Sequence, residues 1–214
     1  MVGDREQDGD LAAGVFSTWL GEIGGALRGE GAADVPCDGC TACCTAFQFV
    51  LIEPDETDTL AHIPAPLLFP APRMPPGHVV LGYDDRGHCP MLVDNRCSIY
   101  EHRPRTCQTY DCRVFPAADV DPAEDGSTKE LIADRTRRWR FTYPADADRA
   151  RHEAVRAAAR FLRDSDVVAN ATQRAVLAVE IHELFWGDAQ PDPEVLSVEI
   201  ERRVTTPWPP RRRL

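Results

Sequence analysis

No stretch of the chain approaches the roughly twenty consecutive apolar residues that cross a bilayer, so the sequence offers no membrane helix. It also lacks a basic, then apolar leader: the opening MVGDREQDGD is acidic, and export is not indicated. A cytoplasmic protein is expected. Basic charge is scarce, with 24 Lys and Arg against 35 Asp and Glu and a formal net charge of -11. Binding a nucleic-acid backbone takes clustered cations that displace its counterions. The dense runs here, Arg135, Arg137, Arg138 and Arg140, then Arg211, Arg212 and Arg213, read as solvated faces or tails. No internal repeat is visible, and no glycine-rich phosphate loop follows a strand. These absences leave an unspecified protein or small molecule as partner, with no nucleic acid and no membrane.

Cysteine is missing from the last 102 residues, 113–214, and all eight cysteines fall between residues 37 and 112: Cys37, Cys40, Cys43, Cys44, Cys89, Cys97, Cys107 and Cys112. A reducing cytosol turns clustered thiols away from disulfides and toward metal or redox chemistry. Thiolates must converge within about 2.3 Å of a shared ion, whereas cysteines used as small hydrophobes have no need to gather. The segregation therefore predicts a metal site drawn from them. Cys37, Cys40 and Cys43 form CxxCxxC, a spacing shared with bacterial ferredoxins, but Cys44 follows where the ferredoxin run inserts three residues. A remote cysteine before proline exists at Cys89-Pro90. Adjacent Cys43 and Cys44 project apart in most backbone conformations and fit one tetrahedral ion poorly. They favour two metal ions, a polynuclear cluster or one free thiol, with an Fe–S cluster and Zn both open. Arg96, Arg103, Arg105 and Arg113 could offset thiolate charge, and His88 and His102 lie where a histidine could ligate. His62, His78, His152 and His182 have no such context.

The fold class expected is α+β, a small cysteine-rich metal-binding core with short strands and irregular loops, packed against C-terminal helices. We expect a single domain, 1–214: an N-terminal helix region (1–30), the cysteine-cluster region (31–118), a helical region (131–187) and a loose tail (188–214). LAAGVFSTWLGEIGGALR, residues 11–28, has near-helical apolar spacing after Asp10. AFQFVLIEP reads as a strand, DETDTLAHI as one or two helical turns, and IPAPLLFPAPRMPPG as a covering loop too rich in proline for regular structure. GHVVLGYDDRGHCPMLVDNRCSIY reads as two small hairpins, turning at Asp84–Gly87 and Asp94-Asn95, that bring Cys89 near Cys97. EHRPRTCQTYDCRVF predicts a short helix interrupted at Pro104, and 119–130 an acidic insertion. Later, Ala154, Val155, Ala158 and Leu162 form an apolar stripe. A second helix starts at Asn170, with Gln173 as its capping pair, and ends at Gly187.

CxxCxxCC at 37–44, CP at 89–90 and CSIYEHRPRTCQTYDC at 97–112 resemble the YkgJ-type cysteine-cluster family of zinc- or iron-chelating domains. The resemblance covers about residues 37–115 and implies the eight cysteines as the metal set, with Tyr100, Arg103 and Pro104 as motif residues. Members labelled Fe–S oxidoreductase-like, and a branch of flagellin lysine methylases that use S-adenosylmethionine, imply an enzymatic option by analogy alone. Three functions stay open: a cytoplasmic metal-binding protein holding iron, as Fe–S, or zinc; a metal-cluster enzyme of redox or protein lysine N-methyltransferase type; and a zinc-stapled interaction module.

Overall fold

The computed structural model describes residues 9–31, 33, 35, 39–165, 170–187 and 192–205. In chain order the elements are β1 (Leu11–Val15), α1 (Phe16–Leu27), β2 (Val50–Ile52), α2 (Thr57–His62), β3 (Leu68–Pro70), β4 (Val79–Leu81), β5 (Leu92–Val93) and β6 (Arg96–Cys97). They continue as α3 (Arg105–Thr109), α4 (Val114–Ala118), α5 (Glu130–Thr136), β7 (Trp139–Thr142), α6 (Asp146–Arg163), α7 (Ala171–Ile181) and α8 (Pro193–Thr205), with 3₁₀ turns between. This mixture of helices and short strands in small sheets is the α+β class that the sequence predicts. No described helix is long and apolar enough to cross a membrane.

Two compact units result, one from the described residues of Met1–Gly21, Cys112–Glu124 and Ala133–Thr205, the other from those of Glu22–Asp111 and Asp125–Ile132. In the first, β1 pairs in parallel with β7, Leu11 opposite Trp139, with a register shift between Ala12 and Gly14. Residues 11–15 are therefore a strand where local spacing predicts the start of a helix. Gly14, at φ +92°, suits an irregular strand and not a helix. The partner segment WRFT, rich in β-formers, lies 128 residues away, beyond the reach of local periodicity.

The α6 stripe is as predicted: Ala154, Val155, Ala158 and Leu162 are all buried. Asn170 caps α7, its Oδ1 accepting the Gln173 N–H at 2.9 Å. In α8, a segment whose sequence predicts a loose tail, Leu196 and Ile200 lie one turn apart and are both buried. His152 on α6 stacks on Phe16 with ring centroids 4.3 Å apart and meets the Tyr143 hydroxyl through Nδ1 at 2.7 Å. Its Nε2 is buried without a partner among the described residues. Burial, then the charge of Arg156, brings its pKa down to about 4.

The second unit carries most of the cysteines on little regular structure. β4 lies between β2 and β3, antiparallel to both, so the proline-rich stretch supplies an edge strand as well as a loop. Pro70 is tolerated there because an edge strand leaves some N–H groups unused. Its apolar centre is small: Ile52, Ile63, Leu81 and Ile99, with Cys89, Met91 and Cys97 packed against them.

Candidate metal centre

Cys43 and Cys44 sit in a 3₁₀ turn, Ala42–Thr45, closed by the Cys44 N–H on the Thr41 carbonyl at 2.9 Å. The Thr45 hydroxyl donates back to the Thr41 carbonyl at 3.2 Å. This turn is tied directly to the next cysteine, because the Cys89 N–H donates to the Cys44 carbonyl at 2.7 Å. Two residues earlier, the Phe47 N–H donates to the Gly87 carbonyl at 3.0 Å. Gly87 has φ +80°, and a Cβ there would lie 2.3 Å from the Phe47 ring. Glycine is required for both reasons.

Cys97 arrives by the tight hairpin of β5 and β6, in which Leu92 faces Cys97 and Val93 faces Arg96. Asp94 and Asn95 form the two-residue loop with φ +48° and +59°, the positive values a hairpin turn of this length favours and that Asx residues tolerate. The Leu92 N–H closes the approach on the Cys89 carbonyl at 2.9 Å.

Cys107 is placed by α3, which is anchored to β2 and the segment after it. Arg105 donates through Nη1 to Glu53 Oε2 at 2.6 Å and through Nη2 to Asp55 Oδ2 at 3.0 Å. The Arg105 N–H meets Glu56 Oε2 at 2.6 Å, so Glu56 satisfies a donor at the helix start, while its other oxygen accepts the Glu53 N–H at 2.9 Å. The Thr106 hydroxyl donates to the Leu51 carbonyl at 2.7 Å. Arg105 is thus committed to carboxylates and not to thiolates. Arg103 stacks on Tyr100, 4.2 Å from the ring centroid, and is the arginine whose charge favours the Cys107 thiolate. Arg96 is exposed on the hairpin, and Arg113 is buried in the first unit, donating to the Ala13 carbonyl at 3.2 Å.

The thiols act on one another. Cys43 donates to the Cys44 sulfur, and that bond, then burial, then the charge of Cys44, raise its pKa far above the ordinary thiol range. Burial pushes Cys107 up to about 12, with added repulsion from Cys43, Cys89 and Cys97. Cys89 is raised by burial and then by Cys97 and Cys43. Cys43, Cys44, Cys89, Cys97 and Cys107 therefore form one electrostatic group. Cys40 lies just before the turn and is half-buried. Cys112 belongs to the other unit, where the Trp139 indole N–H donates to its sulfur at 3.2 Å. Cys37 lies outside the described residues.

Thiols are the donors a soft cation prefers, but among the described residues the three donors that lie within 4.8 Å of one another are Asp58, His62 and His102 and not the thiols. Neutral thiols crowded together raise each other's pKa, and a metal ion reverses that by replacing their protons. Residues 36–126 match the family model CxxCxxCC, described as "Putative zinc- or iron-chelating domain". This segment matches the CxxCxxCC family that the sequence resembles. No curated protein and no solved structure matches the chain. The matched segment spans every cysteine, all of the hairpins and α3, and its family description supports metal binding.

His88 is held by its backbone, its N–H donating to Asp84 Oδ1 at 2.9 Å. His102 instead meets Asp58 and His62, two residues given no role by the sequence reading. Their spacing of four on α2 was the available signal.

Proposed function

We propose that the CxxCxxCC domain holds iron, as an iron–sulfur centre, through thiolates drawn from Cys40, Cys43, Cys44, Cys89, Cys97 and Cys107. What supports this reading is the adjacency of Cys43 and Cys44, the backbone bond of 2.7 Å that ties Cys89 to Cys44, and the charge by which Cys43, Cys89 and Cys97 raise Cys107. Four ligands complete a single tetrahedral ion, so a fifth in the same group suits a centre of more than one metal atom. Such a centre supplies one-electron chemistry when bound. The chain's own part is to carry the sulfurs on three short segments and to set the positive charge of Arg103 against Cys107.

Zinc is the second reading, supported by the size of the local core. The cluster of Ile52, Ile63, Leu81 and Ile99 beneath the cysteine segments is small, and structural metal is a common remedy for a small core. Anaerobic purification followed by iron, sulfide and zinc analysis separates the two. Iron with equimolar inorganic sulfide and a visible chromophore is expected. Colourless protein with stoichiometric zinc selects the stapled unit, and protein with neither metal refutes both.

A further inference from the structure

The geometry points to a second metal site, built without cysteine, at Asp58, His62 and His102. Asp58 and His62 stand four residues apart on α2, which brings their side chains to one face, and His102 closes a 3₁₀ turn of residues 100–102 that packs beside them. His102 Nδ1 lies 2.7 Å from Asp58 Oδ2, and His62 Nδ1 lies 3.8 Å from Asp58 Oδ1. All three side chains present ligand atoms within 4.8 Å of one another. Ligands about 2.1 Å from a tetrahedral ion stand about 3.4 Å apart, and the two separations from the carboxylate bracket that value.

Packing does not account for the arrangement. Asp58 is 71% exposed and the histidines 40% and 38%, so little apolar area is gained by assembling them. The two imidazoles nevertheless lie face to face, centroids 3.5 Å apart and planes within 5°, with His62 Nδ1–H donating to the Asp58 backbone carbonyl at 2.8 Å and His102 Nδ1 meeting Asp58 Oδ2 at 2.7 Å. Stacked rings repel once both are protonated, whereas a cation among the two nitrogens and the carboxylate is attracted by all three.

The donor set defines the ion. Two imidazoles and one carboxylate suit zinc, iron, nickel or copper in the divalent state better than magnesium or calcium, which prefer oxygen throughout. Three protein ligands leave a position for water, so this ion exchanges more readily than one closed in by thiolates. Coordination at Nδ1 replaces the proton that His102 now shares with Asp58 Oδ2 and the proton that His62 donates to the Asp58 carbonyl. In each neutral ring that proton moves to Nε2, and no net charge is lost.

The test is a cobalt(II) and zinc(II) titration of protein purified with its thiolate centre loaded. One further equivalent of cobalt per chain is expected, giving ligand-field absorption without a sulfur-to-cobalt charge-transfer band. Zinc is expected to shift the imidazole ¹⁵N resonances of His62 and His102. His62→Gln and His102→Gln, both at exposed positions, should each weaken this equivalent at least tenfold, while Cys43→Ser leaves it in place. Unchanged cobalt binding in the double histidine variant, or no imidazole shift in the native chain, overturns the site. Failure of the cysteine reading shows separately, as purified protein without bound metal.

Discussion

Arg105 should hold Cys107 in place without being a ligand. Its guanidinium bridges Glu53, whose side chain is only 10% exposed, and Asp55, which is 67% exposed. In Arg105→Met the stem is kept and the charge removed, so Glu53 is left as a buried carboxylate without its cation. Stripping one partner from a fully buried pair costs about 3–5 kcal/mol. Arg105 is a quarter exposed, which admits water and lowers the figure to about 2 kcal/mol, and the Asp55 arm adds little because exposed pairs are weak. A loss of about 2 kcal/mol corresponds to roughly a thirtyfold rise in local opening. Hydrogen exchange of the amides of Glu53 and of residues 107–109 reads this directly, and metal loading should suppress the difference by holding Cys107 from the other side. Exchange in metal-free Arg105→Met within threefold of the native chain refutes the reasoning.

Three other outcomes are expected. His152 is held neutral by burial, with its pKa near 4 against an unfolded value of 6.5. The unfolded chain binds its proton first, so its contribution to stability is complete above pH 6.5 and is lost as pH falls toward 4, by up to about 3 kcal/mol; urea unfolding at several pH values should show a slope that His152→Gln flattens. Gly87→Ala forces a side chain into a left-handed backbone and against Phe47, costing about 1–2 kcal/mol, with reduced metal content read by elemental analysis. Metal uptake should release protons, because Cys107 with a pKa near 12 and the raised Cys43 and Cys89 are protonated at neutral pH; apparent affinity rises with pH, and pH-independent uptake in a pH-stat titration excludes these ligands.

Local chemistry was legible in the chain. Asp94-Asn95 fixed the hairpin before Cys97 because the Asx pair tolerates the positive φ a two-residue turn favours, and Asn170 with Gln173 fixed the start of α7. The alanine-rich α6 was legible for the same reason: period and propensity act within a few turns. Crowding of the thiols between residues 37 and 112 was itself enough to imply a metal, since residue type sets donor softness.

Other features depend on pairs far apart in sequence. β1 is a strand because β7 pairs with it across the chain, and local spacing could not register that partner. Arg105 faces Glu53 and Asp55 instead of sulfur because α3 docks on β2, with Thr106 bonded to Leu51. His102 meets Asp58 and His62 because α2 and the turn before Pro104 come together, which no spacing within either segment encodes. Sequence thus determined which atoms are available to bind metal, because that is a property of each residue. Only the tertiary structure decided which of them converge, because convergence is set by hydrogen bonds between segments that lie up to 55 residues apart in the chain.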